Sequence, residues 1–123
     1  MPENAAAKSP SHLTLVTSAE SDAAGSLTRV RCSGKLVIGS TGILQTEVRG
    51  LLPGAKRIVL DLTDLGYMDS SGLGTIIGLY VSVKTAGGRL EVIHLSERVR
   101  QLFSITNVLS LFEVCGEQGN RIV

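Results

Sequence analysis

Aromatic side chains are scarce. Tyr67, Tyr80, Phe103 and Phe112 are the four among 123 residues, and tryptophan is absent. A chain so poor in rings offers no stacking platform for single-stranded nucleic acid. Excess charge of one sign is missing too. Lys plus Arg number 12 against 11 Asp plus Glu, a net charge of +1, so there is no basic patch to grip a phosphate backbone. Cys32 and Cys115 lie far apart and neither sits in a CxxC pair. Two thiols cannot build a zinc site alone, and the expectation is a pair of buried thiols in a reducing compartment. His12 and His94 have no neighbours of ligand type, so no metal is expected. No apolar run reaches the roughly 18 residues of a membrane span. Met1-Pro2-Glu3-Asn4-Ala5 lacks the basic start and apolar core of a secretion signal, and a cytoplasmic chain is expected.

What is present suits one globular domain: 43% of residues are hydrophobic and 19% charged over a single domain's length. Residues 1–12 are polar and Ala-rich with two prolines, and read as a flexible tail. The domain is expected over 13–115, with a short tail over 116–123. Two apolar stretches, Leu13 to Thr17 and Leu27 to Ile38, predict strands, with Ser18 to Gly25 as a turn and Ser33-Gly34 marking a bend or bulge. The period then changes. Ser40 or Thr41 is a candidate cap for a helix bearing Ile43, Leu44, Val48, Leu51 and Leu52, stopped by Pro53-Gly54. Arg57 to Leu62 has the pattern of a central strand. A helix from Ser70 to about Thr85 follows, with Leu73, Ile76, Ile77, Tyr80 and Val81 inward, ended by Gly87-Gly88. Leu90 to Leu95 reads as a strand. Ser96 then caps a helix with Glu97 in its first turn and Val99, Leu102 and Phe103 inward, and a last strand is placed at Leu111 to Val114. The alternation predicts an α/β fold: a mixed sheet of four or five strands, an N-terminal hairpin and about three helices.

The informative run is Tyr67-Met68-Asp69-Ser70-Ser71-Gly72-Leu73-Gly74. Asp69 falls where the chain enters the helix, and its carboxylate can accept the orphan N–H groups there. Ser70 and Ser71 then occupy the first turn beside the positive helix end. A phosphate on Ser70 would add about −1.5 to −2 charges, which a helix N-terminus favours by about 0.3–1 kcal/mol. Gly72 and Gly74 leave the approach open to another molecule. The plain alternative is that Asp69-Ser70-Ser71 does nothing but cap the helix. Opposite the inward stripe the helix carries Thr75, Leu79, Ser82 and Val83. Leu79 and Val83 are expected to be outward and apolar, a docking face, unless another helix covers them.

Other chemistries fit less well. Gly72 to Gly78 reads GxGxxxG, not the GxGxxG of a dinucleotide site, and Glu91 is misplaced as its ribose-binding acid. Met68 occupies the first glycine of a GxSxG elbow. Asp61, Asp64 and Asp69 miss the alternate spacing of a calcium loop. Asp61 or Asp64 could sit at a strand end like a phosphoacceptor aspartate, but the acidic pair that would hold magnesium is missing. No enzyme and no cofactor is expected.

Val59-Leu60-Asp61-Leu62-Thr63 followed by Tyr67 to Gly74 resembles the signature of the STAS family, and within it the bacterial anti-sigma factor antagonists. The resemblance runs from about Leu27 to Val114 and includes Gly87-Gly88 and Ser96-x-x-Val99-x-x-Leu102-Phe103. It implies helices mainly on one sheet face and Ser70 as the phosphoacceptor. Asp69, Ser71, Gly72, Gly74, Thr75, Leu79 and Val83 are then the phosphosite loop and partner-binding residues. The implied partner is an anti-sigma factor of the serine-kinase type, released by phosphorylation, with a serine phosphatase to reset the switch. Family members often carry Gly-x-Leu-Asp after the second strand, where this chain has Gly34-Lys35-Leu36-Val37. That departure keeps open an alternative, a non-phosphorylated scaffold subunit of a transporter or signalling complex.

Overall fold

A computed structural model of the chain describes residues 12–105. The strand expected at Leu111 to Val114, the C-terminal tail, nearly all of the N-terminal tail and Cys115 lie outside the described residues. The elements run β1 (Leu13–Asp22), β2 (Gly25–Leu36), α1 (Thr41–Gly50), β3 (Arg57–Met68), α2 (Ser70–Thr85), β4 (Arg89–Ile93) and α3 (Glu97–Ile105). The strands form one sheet in the order β1-β2-β3-β4. β1 pairs antiparallel with β2, and β2, β3 and β4 are mutually parallel. The expected mixed α/β sheet with an N-terminal hairpin is thus found.

The hairpin is longer than periodicity suggested. Pairing continues from Leu13↔Gly34 to Asp22↔Gly25, so Ser18 to Asp22 belong to β1 rather than to a turn. They read as a turn because β1 is an edge strand whose far half is exposed, and exposed strands need no apolar alternation. The turn itself is tight: the Ala24 N–H donates to Asp22 Oδ1 at 2.9 Å, and Gly25 takes φ +123°. The expected bulge is real. The β2–β3 register shifts between Arg31 and Ser33 and again between Gly34 and Lys35, with Gly34 at φ +101°. β3 runs on to Met68, six residues beyond the apolar run, because β2 supplies partners up to Leu36↔Met68. β4 ends at Ile93, where His94 turns to φ +61° and leaves strand geometry.

One face of the sheet holds the main core. Val30, Cys32 and Leu36 of β2, Ile58, Leu60, Leu62, Leu65 and Met68 of β3, and Leu90 and Val92 of β4 pack with residues of all three helices. These include Leu44 and Val48, then Leu73, Ile76, Leu79 and Val83, and Val99 and Phe103. Cys32 is buried as expected, and that burial pushes its thiol up to about 12.

The other face carries charge around a small apolar cluster of Leu27, Val59 and Ile93. Arg57 makes paired bonds to Asp22 at 2.8 Å and to Glu91 at 3.2 Å. Asp61 accepts from Arg29 at 3.1 Å, from the Thr63 N–H at 3.0 Å and from the Thr63 hydroxyl at 2.6 Å. Since that hydroxyl spends its hydrogen on Asp61, the 2.8 Å contact between Thr63 Oγ1 and His94 Nδ1 requires His94 to be the donor. Burial alone would raise the Asp61 carboxyl, but hydrogen bonds from the Thr63 side chain, the Thr63 backbone and His94 outweigh it and hold it below the ordinary 3.8. Stability from Asp61 is therefore full above that value and is lost as pH falls through the lower folded value. Chemical denaturation should show the parent chain more stable than Asp61→Asn by about 2 kcal/mol at neutral pH, with the difference shrinking steadily below pH ~4.

Candidate functional site

The parallel strands β2 and β3 end together, and the loop after each is tied to the other. Asp69 follows the last residue of β3 and is the N-cap of α2, in extended conformation. Its Oδ1 accepts the Gly72 N–H at 2.9 Å, which satisfies one of the helix's free donors. Its Oδ2 accepts the Ile38 N–H at 3.2 Å, reaching into the loop between β2 and α1. The Asp69 N–H in turn donates to the Leu36 carbonyl at 3.3 Å. Ser40 stiffens the same loop: its hydroxyl donates to the Lys35 carbonyl at 2.8 Å and accepts the Val37 N–H at 3.0 Å. The sequence marked Ser40 as a candidate cap of α1. It is the N-cap, but its side chain braces the loop instead of the helix donors.

Ser70 is the first residue of the 16-residue helix α2 and is exposed. Among the described residues its hydroxyl makes no hydrogen bond, so it faces solvent at the positive end of a long helix. Ser71 is half-buried, and its carbonyl accepts the Thr75 hydroxyl at 2.9 Å. Gly74 is exposed with open space where a side chain would stand. Asp69, Ser70, Ser71 and Gly74 thus meet at one end of the sheet.

The remaining predicted residues do not join them. Leu79 and Val83 are 1% and 0% exposed and lie in the main core, so they form no docking face. Thr75 is buried with them. The reason is the setting of α2, which packs against α1 as well as against β3 and β4. A helix covered on two sides buries more than one stripe: Leu73 and Ile76 are buried and Ile77 and Tyr80 pack against the core as periodicity predicts, and Leu79 and Val83 are buried beside them. Val81, expected inward, is accordingly exposed. Gly72 also has a different role. It is buried, and a Cβ there would collide with the Leu36 carbonyl oxygen and lie 2.8 Å from Met68 Cγ. Its missing side chain lets α2 start against the end of β2 and does not open a path for a partner.

Exposed apolar residues sit elsewhere at this end of the sheet: Ile38 is 79% exposed, Ile43 43% and Tyr67 36%. The sequence places Ile38 at the end of a strand, Ile43 in the apolar stripe of α1 and Tyr67 before the helix, and in none of them does periodicity mark exposed surface. Ile38, in a loop after an apolar strand, reads as the strand's continuation. The bond from its N–H to Asp69 ties its backbone to the turn that carries Ser70.

A model of the STAS domain matches residues 18–118. The chain is 33% identical over 94 residues to the anti-sigma-B factor antagonist of Bacillus subtilis, covering 76% of this chain and 86% of that protein. Among solved structures it is similar to an anti-sigma factor antagonist from Mycobacterium paratuberculosis, with a TM-score of 0.72, 18% identity, and 85% and 86% of the two chains covered. The unphosphorylated form of SpoIIAA, an anti-sigma factor antagonist, has a TM-score of 0.60 at 20% identity, with 76% of this chain and 82% of that chain covered. These likenesses agree with the four-stranded mixed sheet described here.

Three substitutions separate the roles of this turn. Gly72→Ala should destabilise the fold by about 2 kcal/mol, because backbone and a packed methionine must move. Asp69→Ala should cost about 1–2 kcal/mol through the lost cap, and Asp69→Asn, which keeps an acceptor, clearly less. Urea midpoints of the three variants against the parent chain measure both effects.

Proposed function

The chain belongs to the STAS domain family, and we propose that it is an anti-sigma factor antagonist switched by phosphorylation of Ser70. The unmodified chain binds an anti-sigma factor and so frees a sigma factor. That partner is a serine kinase: it transfers the γ-phosphoryl group of ATP to Ser70 Oγ, ADP leaves, and the modified antagonist lets go. A serine phosphatase restores the hydroxyl. The chain is a regulatory binding module in the cytoplasm and not itself an enzyme. Among the described residues no helix is long and apolar enough to cross a membrane.

The observation that carries this reading is the setting of Ser70. Its hydroxyl is exposed, without a hydrogen-bond partner among the described residues, and stands at the start of a helix held rigidly by Asp69. A rigid, unencumbered hydroxyl is what a kinase active site can reach. The helix end tolerates the new charge, so phosphorylation does not unfold the domain. At a contact surface, by contrast, a phosphate must be desolvated and meets any like charge opposite. A loss of about 2.7 kcal/mol there weakens binding roughly 100-fold.

Paired baits test the switch. Ser70→Ala and Ser70→Asp chains are used to recover partners from lysate of the native host, with identification by mass spectrometry. A kinase-like ATPase should come down with the Ala bait and be lost with the Asp bait, and the purified pair should show a Kd difference of about 100-fold. Equal recovery by both baits would instead support the constitutive scaffold. Incubation of the parent chain with that ATPase and ATP should add one phosphate, absent from Ser70→Ala.

A further inference from the structure

Next to the Asp69–Ser70 turn is a cluster that a phosphate switch does not by itself require. Tyr67 stands out from the end of β3, and two cations converge on its ring. Lys35 Nζ and the Arg98 guanidinium carbon each lie 5.6 Å from the ring centroid. Lys35 is the β2 residue paired with Tyr67 across the sheet, and Arg98 comes from the first turn of α3. Among the described residues neither cation has a carboxylate within ion-pair distance. Arg29, Arg31, Arg57 and Arg89, on the charged sheet face, each have at least one. The acids near this end are committed elsewhere: Asp69 to two backbone N–H groups, and Asp64 to Arg31. Glu97 lies in the first turn of α3, where it complements that helix's own positive end.

Two like charges drawn onto one exposed ring form a preset positive site. The ring's negative face holds each of them at a modest gain of about 0.5–1 kcal/mol, less than a charge-assisted bond to a carboxylate offers once a partner excludes water from it. The cations are therefore positioned but not satisfied. Tyrosine and arginine are also the side chains that most often anchor protein interfaces, and exposed Ile38 and Ile43 supply apolar surface at the same end of the sheet.

We propose that Lys35, Tyr67 and Arg98 anchor an acidic segment of the protein partner, a run of Asp or Glu side chains with apolar residues beside it that meet Ile38 and Ile43. The proposal rests on the reading that the Ser70 end of the sheet is the partner-binding end, and it names the chemistry of that partner. It also gives the switch its sign. A phosphate of about −2 charge at the same end offsets the two cations and repels an acidic partner. A membrane is a poor alternative occupant, because two cations contribute only about 2 kcal/mol at an anionic lipid surface.

The test uses the full chain and a defined probe: a synthetic peptide with three glutamates between leucines, and the same peptide with glutamines. In NMR titrations the acidic peptide should shift the Lys35, Tyr67 and Arg98 signals, with Lys56 and Arg49 little changed. The glutamine peptide should not, and the shifts should vanish in a Lys35→Glu, Arg98→Glu double variant that keeps the parent spectrum elsewhere. Against the anti-sigma factor recovered with the Ser70→Ala bait, each charge reversal should raise Kd about 10-fold. Added salt should weaken the parent complex more than that of the double variant. The proposal is overturned if the peptide shifts Lys56 and Arg49 as strongly, if anionic lipid vesicles but not the peptide shift the cluster, or if the double variant binds the anti-sigma factor within twofold of the parent. Should the parent chain bind no anti-sigma factor, the functional reading fails on its own, and the peptide titration alone decides for or against the anchor.

Discussion

One carboxylate organises the end of the molecule where Ser70 stands. Asp69 closes the free end of α2 through Gly72 and fastens the β2–α1 loop through Ile38. Those two bonds tie the start of α2 to the loop that leads from β2 into α1. Ser70 is thereby set at a fixed point, exposed yet next to a loop that cannot drift. Ser40 repeats the device from the other side, bonding the loop's own backbone. Gly72 follows from the same constraint, since the turn is tight enough that a Cβ would strike the Leu36 carbonyl.

The sheet beneath divides its two faces by chemistry. One is apolar and covered by the three helices. The other holds charges in pairs that cross the strands: Asp22–Arg57–Glu91 spans β1, β3 and β4, and Glu20–Arg29–Asp61 spans β1, β2 and β3. Glu91 is fully buried, and an unpaired carboxylate there would be costly. Arg57 and Arg89 both reach it. The charges of that face are thus occupied in holding strands together. At the carboxyl ends of the parallel strands, where open α/β sheets bind their ligands, the cations on Tyr67 are not so occupied. The same residue types serve the fold in one place and remain available for contact in another.

Much of this was legible from the residues. Helix α2 runs from Ser70 to Thr85 as its cap and its Gly87-Gly88 stop predicted. The Ser33-Gly34 bulge, the hairpin, the parallel strands and the exposed Ser70 behind its capping aspartate were also readable. The errors share one cause. Strand β1 runs past its apolar stretch, β3 continues past Leu62, Ile43 is exposed, and on α2 Val81 faces solvent while Leu79 and Val83 are buried, in each case because burial depends on which neighbour covers a residue. An exposed edge strand loses its alternation. A helix packed on two sides buries more than one stripe, and so Leu79 and Val83, which looked like a docking face, are core.

The order of the elements, the glycine and aspartate at their ends, and the serine at the helix start are local matters, settled by backbone conformation and capping within a few residues. The sequence by itself therefore determined the α/β class and the place of Ser70 at the helix start, while its reading as a phosphoacceptor rests on the resemblance to the STAS family. Contacts between residues distant along the chain are not written in any local period. Only the tertiary structure decided that Asp69 would hold Ile38, that Gly72 would pack on Leu36, and that Lys35 and Arg98 would converge on Tyr67. Each of these joins residues some thirty positions apart, brought together by the parallel pairing of β2 with β3 and the return of α3 over the end of the sheet.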